Sequence, residues 1–100
     1  MQPNMRMIQQ MQTRMAKIQE ELGETIVTGS AGGDAVSVEV TGLQELKAIK
    51  LKAEVVDPED IETLEDLLLV AINDAMERAK ELSAQKMSAL TGGMKIPGLM

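Results

Sequence analysis

The chain of 100 residues has no cysteine, histidine, phenylalanine, tyrosine or tryptophan. Without thiols there is no disulfide and no thiolate nucleophile. Without imidazole, the usual general base near neutral pH and the usual nitrogen ligand for a metal are both missing. The absence of aromatic rings removes the platforms on which proteins stack single-stranded bases. The longest apolar run, Leu67 to Ile72, is far shorter than the roughly 20 residues that cross a bilayer, and the N-terminus has no continuous apolar stretch of the signal-peptide kind. These absences predict a soluble, cytoplasmic protein with no membrane partner, metal, cofactor or small-molecule substrate. Carboxylates, lysines and hydroxyls are left for chemistry, in no arrangement that suggests a reaction, so an enzyme is not expected.

Acid is missing from particular places. The net charge is −6, yet Arg6, Arg14 and Lys17 stand in an N-terminal segment with no acid before Glu20, and Lys86 and Lys95 in a C-terminal one with none after Glu81. Ten acidic residues lie between Glu54 and Glu81, against Arg78 and Lys80. The ends are basic and the middle is acidic.

The stretch Pro58–Leu90 contains no internal glycine or proline and predicts a long helix. Asp57 suits its N-cap and Pro58 its first position, and Glu59, Asp60 and Glu62 face the positive end of the dipole; Gly92 lies just beyond its end. At about 1.5 Å per residue it would be roughly 50 Å long, too long for a compact chain of this size, whose radius of gyration would be about 13 Å. The helix must bend, break or project. Its middle, Leu67-Leu68-Leu69-Val70-Ala71-Ile72, is apolar all round and predicts a second subunit. Leu68, Leu69, Ala71, Ile72, Ala75 and Met76 are the expected dimer contacts, with alanines four apart permitting close helix approach.

Ile8, Met11, Met15, Ile18 and Leu22 recur at 3-4-3-4 spacing, which predicts a first helix over residues 2–22 with a narrow heptad-like seam, ended by Gly23. Three strands are expected between the helices, at 24–29, 34–41 and 46–52. In the second, Val36, Val38 and Val40 alternate with Ser37, Glu39 and Thr41; in the third, Ile49 and Leu51 oppose Lys50 and Lys52. Short connections between them imply an antiparallel meander. The fold class is therefore α+β, in the order αβββα, as one domain over 1–93 with a loose tail at 94–100.

Two motifs have bland explanations. Gly29-Ser-Ala-Gly-Gly-Asp34 lacks the lysine and spacing of a phosphate loop and precedes a strand, so it reads as a hairpin loop. The acids from Asp57 to Asp66 match no calcium loop and read as capping and solvated charge. The basic ends say more. If the terminal helices pair antiparallel beyond the sheet, Arg6, Arg14, Lys17, Lys80 and Lys86 gather on an arm. Duplex DNA held through its phosphates needs no aromatic residue.

The assembled pattern resembles the YbaB/EbfC family of nucleoid-associated proteins. The resemblance runs from the Met/Gln-rich first helix through Glu20-Glu21-Leu22, Gly29–Gly33, Val36-Ser-Val38 with Gly42, Val56–Asp66, Ala71-Ile-Asn-Asp-Ala75, Thr91-Gly-Gly93 and Pro97-Gly98. It implies a tweezer-like homodimer with protruding helical arms, located in the nucleoid, that binds duplex DNA and alters its conformation. It also implies that the arms carry DNA binding, here through Arg6, Arg14, Lys17, Lys80 and Lys86. This chain departs from the pattern by carrying Gln9, Gln10 and Gln12 where lysines are common, and Leu43-Gln44 where the turn usually has a second glycine. The alternative expectation is a coiled-coil-armed adaptor whose Met/Leu surface binds another protein.

Overall fold

Strict alternation makes β2 the centre of the structure. Val36, Val38 and Val40 point to one face and are fully buried there, while Ser37 and Glu39 lie on the other. The computed structural model describes residues 5–91. Helix α1 (Met5–Glu24) leads into β1 (Ile26–Ala31), β2 (Val36–Thr41) and β3 (Leu46–Leu51); a short 3-10 turn (Ala53–Val55) then precedes α2 (Ile61–Thr91). The sheet is an antiparallel meander in the order β1-β2-β3, so the αβββα order read from the sequence is the order found. A bulge opposite Glu39 and Val40 leaves Lys47 unpaired and brings Leu46 beside Val40, onto the same face as Ile49 and Leu51.

Helix α2 packs across β1 and β2 through a face of small residues. Ala71, Ala75 and Ala79 have no exposed surface. A Cβ on Gly29 would stand 2.3 Å from the Ala75 nitrogen and 2.6 Å from the Ala71 oxygen. Gly29 therefore lies inside β1 as the point where helix backbone meets strand backbone, not in the hairpin loop expected for it. The left-handed positions of that hairpin are Gly32, Gly33 and Asp34. Ala71 and Ala75 are thus fully buried within the single chain, against its own sheet.

The start of α2 differs from expectation too. Asp57 accepts the Glu59 N–H within a turn closed by Asp60 N–H to the Asp57 carbonyl, with Pro58 at the first turn corner. Asp60 is the cap: one carboxylate oxygen accepts the Thr63 N–H at 3.3 Å and the other the Thr63 hydroxyl at 2.7 Å. A proline-fixed turn closes first, and the helix begins after it.

At the other end of the sheet, Leu22 is fully buried and its carbonyl accepts the Gly42 N–H at 2.9 Å. This contact fixes where α1 leaves the sheet. Thr41, also buried, accepts the N–H groups of Leu43 and Glu45 on its hydroxyl and shapes the β2–β3 turn. In that turn Gln44 itself takes the left-handed conformation (φ 65°), and its side-chain amide donates to the Met76 carbonyl at 3.2 Å. The missing second glycine thus leaves the turn's backbone in the left-handed region.

The radius of gyration is 19.0 Å and the longest dimension 69 Å, so the long helix projects. Ile18 and Leu90 line one groove where α1 and α2 run side by side, whereas Ile8, Met11 and Met15 remain exposed. The expected seam is covered only towards its sheet end. Gly92 and the tail at 94–100 lie outside the described residues.

Candidate nucleic-acid interface

The arm is built from α1 and the last three turns of α2. Its segments 5–19 and 82–91 contain Arg6, Arg14, Lys17 and Lys86 and no acid, on a chain whose total charge is −6. Successive residues of a helix are about 100° apart. On α1 this places Arg14, Gln10, Lys17, Arg6 and Thr13 in sequence around one flank, beside the apolar seam. Two grooves follow that flank. The outer one is lined by Arg6, Gln9, Gln10, Thr13 and Arg14. The Thr13 hydroxyl in it donates to the Gln9 carbonyl at 2.9 Å, which turns the side chain back along the helix.

The inner groove, about 320 Å³, lies between the helices and is lined by Arg14, Lys17, Ile18, Glu21, Lys86, Ala89 and Leu90. Its floor is apolar and its rim holds three cations and one carboxylate. Lys86 Nζ lies 3.7 Å from Glu21 Oε2, with both side chains close to half exposed. Of the five basic residues singled out from the sequence, the structure thus brings Arg14, Lys17 and Lys86 around one groove and Arg6 onto the same flank further out. Lys80 lines neither groove. It precedes Lys86 by six residues and so points about 120° away around α2.

The base of the arm is locked by a group that sequence reasoning did not single out. The Asp74 carboxylate accepts the Ser30 N–H at 3.1 Å and the Arg78 guanidinium at 3.1 Å. The Ser30 N–H holds the carboxyl below its ordinary value, with help from Arg78 and against the opposing effect of burial. The contact seats α2 along β1. Its sequence signal was the Asp-x-x-x-Arg spacing, which reads first as an ordinary surface pair.

β3 is different. Ile49 pairs with Val38 and Leu51 with Val36, so they share the face on which α2 packs, yet both stay more than two-fifths exposed, as does Leu46. The helix lies over β1 and β2 and stops short of them. Leu69, Ile72 and Met76 occupy the flank of α2 opposite Asp74, the side towards β3. Leu69 is 60% exposed. An uncovered apolar strip therefore runs along β3 and the adjoining side of α2.

Comparison with known proteins identifies the architecture. The sequence profile of the YbaB/EbfC DNA-binding family matches residues 1–94. A nucleoid-associated protein of Chloroflexus aurantiacus is 55% identical over 91 residues, 91% of each chain. One from Pelotomaculum thermopropionicum is 46% identical over 95 residues, covering 95% of this chain and 90% of that one. The crystal structure of an uncharacterized protein from Helicobacter pylori superposes with a TM-score of 0.77 at 27% identity, over 86% of this chain and 90% of the other. The chain belongs to the YbaB/EbfC DNA-binding family. For a YbaB/EbfC protein, the mainly basic arm is the surface whose charge matches the ligand in the family's name, and the resemblance read from the sequence is the relationship found. No described helix is long and apolar enough to cross a membrane.

Proposed function

We propose that this protein is a cytoplasmic, nucleoid-located homodimer that grips duplex DNA between two basic arms and changes its path, contributing to nucleoid organisation, gene regulation or DNA protection. Its membership of a DNA-binding family and the names of its relatives support a nucleoid DNA-binding role, and neither favours the adaptor alternative. The observation that carries the arm assignment is the charge separation. Arg6, Arg14, Lys17 and Lys86 share an arm whose segments 5–19 and 82–91 hold no acid, with Glu21 at the inner groove, while ten of the chain's sixteen acids lie between Glu54 and Glu81. DNA phosphates are attracted to the arm and repelled by the acidic half of α2. Lys80 contributes from outside the grooves as part of the surrounding field. The role is one of binding, without a bond made or broken.

The uncovered Leu46, Ile49, Leu51 and Leu69, with the half-buried Ile72 and Met76 on the same flank of α2 as Leu69, support dimer formation. A second copy seated there would bury the apolar face that one chain leaves open, and would leave both arms projecting. The test of the binding reading is a duplex titration at several salt concentrations. With three or four phosphates neutralised per arm, the plot of log Kobs against log salt should have a slope of about −3 for each engaged arm. A salt-independent affinity, or no binding at about 50 mM salt, overturns the reading.

A further inference from the structure

Glu21 is the one acid on the rim of the inner groove, and it is placed where a ligand anion would go. Its carboxylate lies 3.7 Å from Lys86, and Lys17 precedes it by one helical turn. Arg14 and Lys17 line the same groove. From this placement we infer that Glu21 occupies the phosphate position of the arm, holds Lys86 out of DNA contact, and thereby sets the arm's affinity below what its four cations could give. The inference rests on the reading of the arm as the DNA-binding surface.

The physical argument compares two anions for one ammonium. A carboxylate tethered to the neighbouring helix is always present at Lys86, whereas a DNA phosphate must displace it and then sit beside an uncompensated negative charge. Both side chains are about half exposed, so the pair is screened and exchangeable rather than a fixed structural bridge. Its main effect is therefore on counterion accounting. While Glu21 neutralises Lys86, that lysine releases no counterion from the DNA. A nucleoid protein with moderate, salt-tunable affinity can let go of DNA, and a full cationic rim would work against this.

The experiment is a duplex titration from about 50 to 200 mM salt with the unmodified protein, Glu21→Gln, Lys86→Gln and the double variant. Gln keeps the size of the Glu21 side chain and its exposed position, so the arm stays folded, and circular dichroism checks this. Glu21→Gln should steepen the slope of log Kobs against log salt by about 0.9 for each engaged arm. Its affinity advantage over the unmodified protein should shrink about 3.5-fold per arm across that salt range. Lys86→Gln alone should leave the slope unchanged, and the double variant should return to it. If Glu21→Gln binds duplex with the unmodified slope, or if the double variant keeps the steeper one, Glu21 does not withhold Lys86 and the inference is overturned. If no variant binds duplex at about 50 mM salt, the DNA-binding reading of the arm fails first and takes this inference with it.

Discussion

A single hydrogen atom decides whether α2 can reach the sheet. At Gly29 a Cβ would fall within 2.7 Å of three backbone atoms of α2, none of which can rotate away. Gly29→Ala should therefore cost about 3 kcal/mol, read as a lower denaturant midpoint. Asp74 works by charge. Its folded-state carboxyl is held below the ordinary value by Ser30 and Arg78, so it stabilises the fold at pH values above its unfolded value of about 4. That contribution is lost as the pH falls through the lower folded-state value. Asp74→Asn should be less stable than the unmodified protein at neutral pH, and the difference should narrow as the pH is lowered from about 4 towards 2. Neither role was legible in the sequence. Gly29 stands among loop-forming residues, and only the bend of the chain brings Ala71 and Ala75 over it.

At the scale of elements, much was legible because periodicity is a local signal. Alternation at Val36, Val38 and Val40 located β2, and the glycine-free run located α2. Element ends were less legible, since each depends on which of several competing local bonds forms. At the start of α2, Asp57 and Asp60 both carry a carboxylate able to cap a helix, and the Asp57–Asp60 turn shifts the helix to Ile61. Asp60→Ala should cost about 1 kcal/mol in thermal or chemical unfolding, and Asp57→Ala distinctly less. From the apolar middle of α2, Leu69 and Val70 stay exposed on the single chain. The sequence could not say which residues the sheet would take. Small alanines went to the sheet because they allow close approach, and Leu69 was left outside. The contribution of β3 was hidden by its lysines, which made Ile49 and Leu51 read as an ordinary covered face.

The whole molecule combines a small sheet domain with an arm of opposite charge. The open strip on β3 and α2 leads to a prediction about assembly. Ile49→Asp or Leu69→Asp should convert a dimer to monomers in sedimentation, with little loss of secondary structure, because both side chains are already partly exposed in the single chain. A mass of one chain for the unmodified protein at micromolar concentration would contradict that assembly. The basic residues and their gathering on an arm were legible in the sequence, but which of them would share a groove was not. Helix phase puts Arg6, Arg14 and Lys17 on one flank, antiparallel packing adds Lys86, and the same geometry turns Lys80 away. The central claim is that this flank holds duplex DNA by its phosphates. Its most direct test compares the salt dependence of duplex binding for the unmodified protein with that of the paired variant Arg14→Glu with Lys17→Glu. The account predicts binding that weakens steeply with salt, and a variant of unchanged mass whose slope is shallower by about 2 for each engaged arm. Equal affinity and equal slope for the two proteins would contradict it.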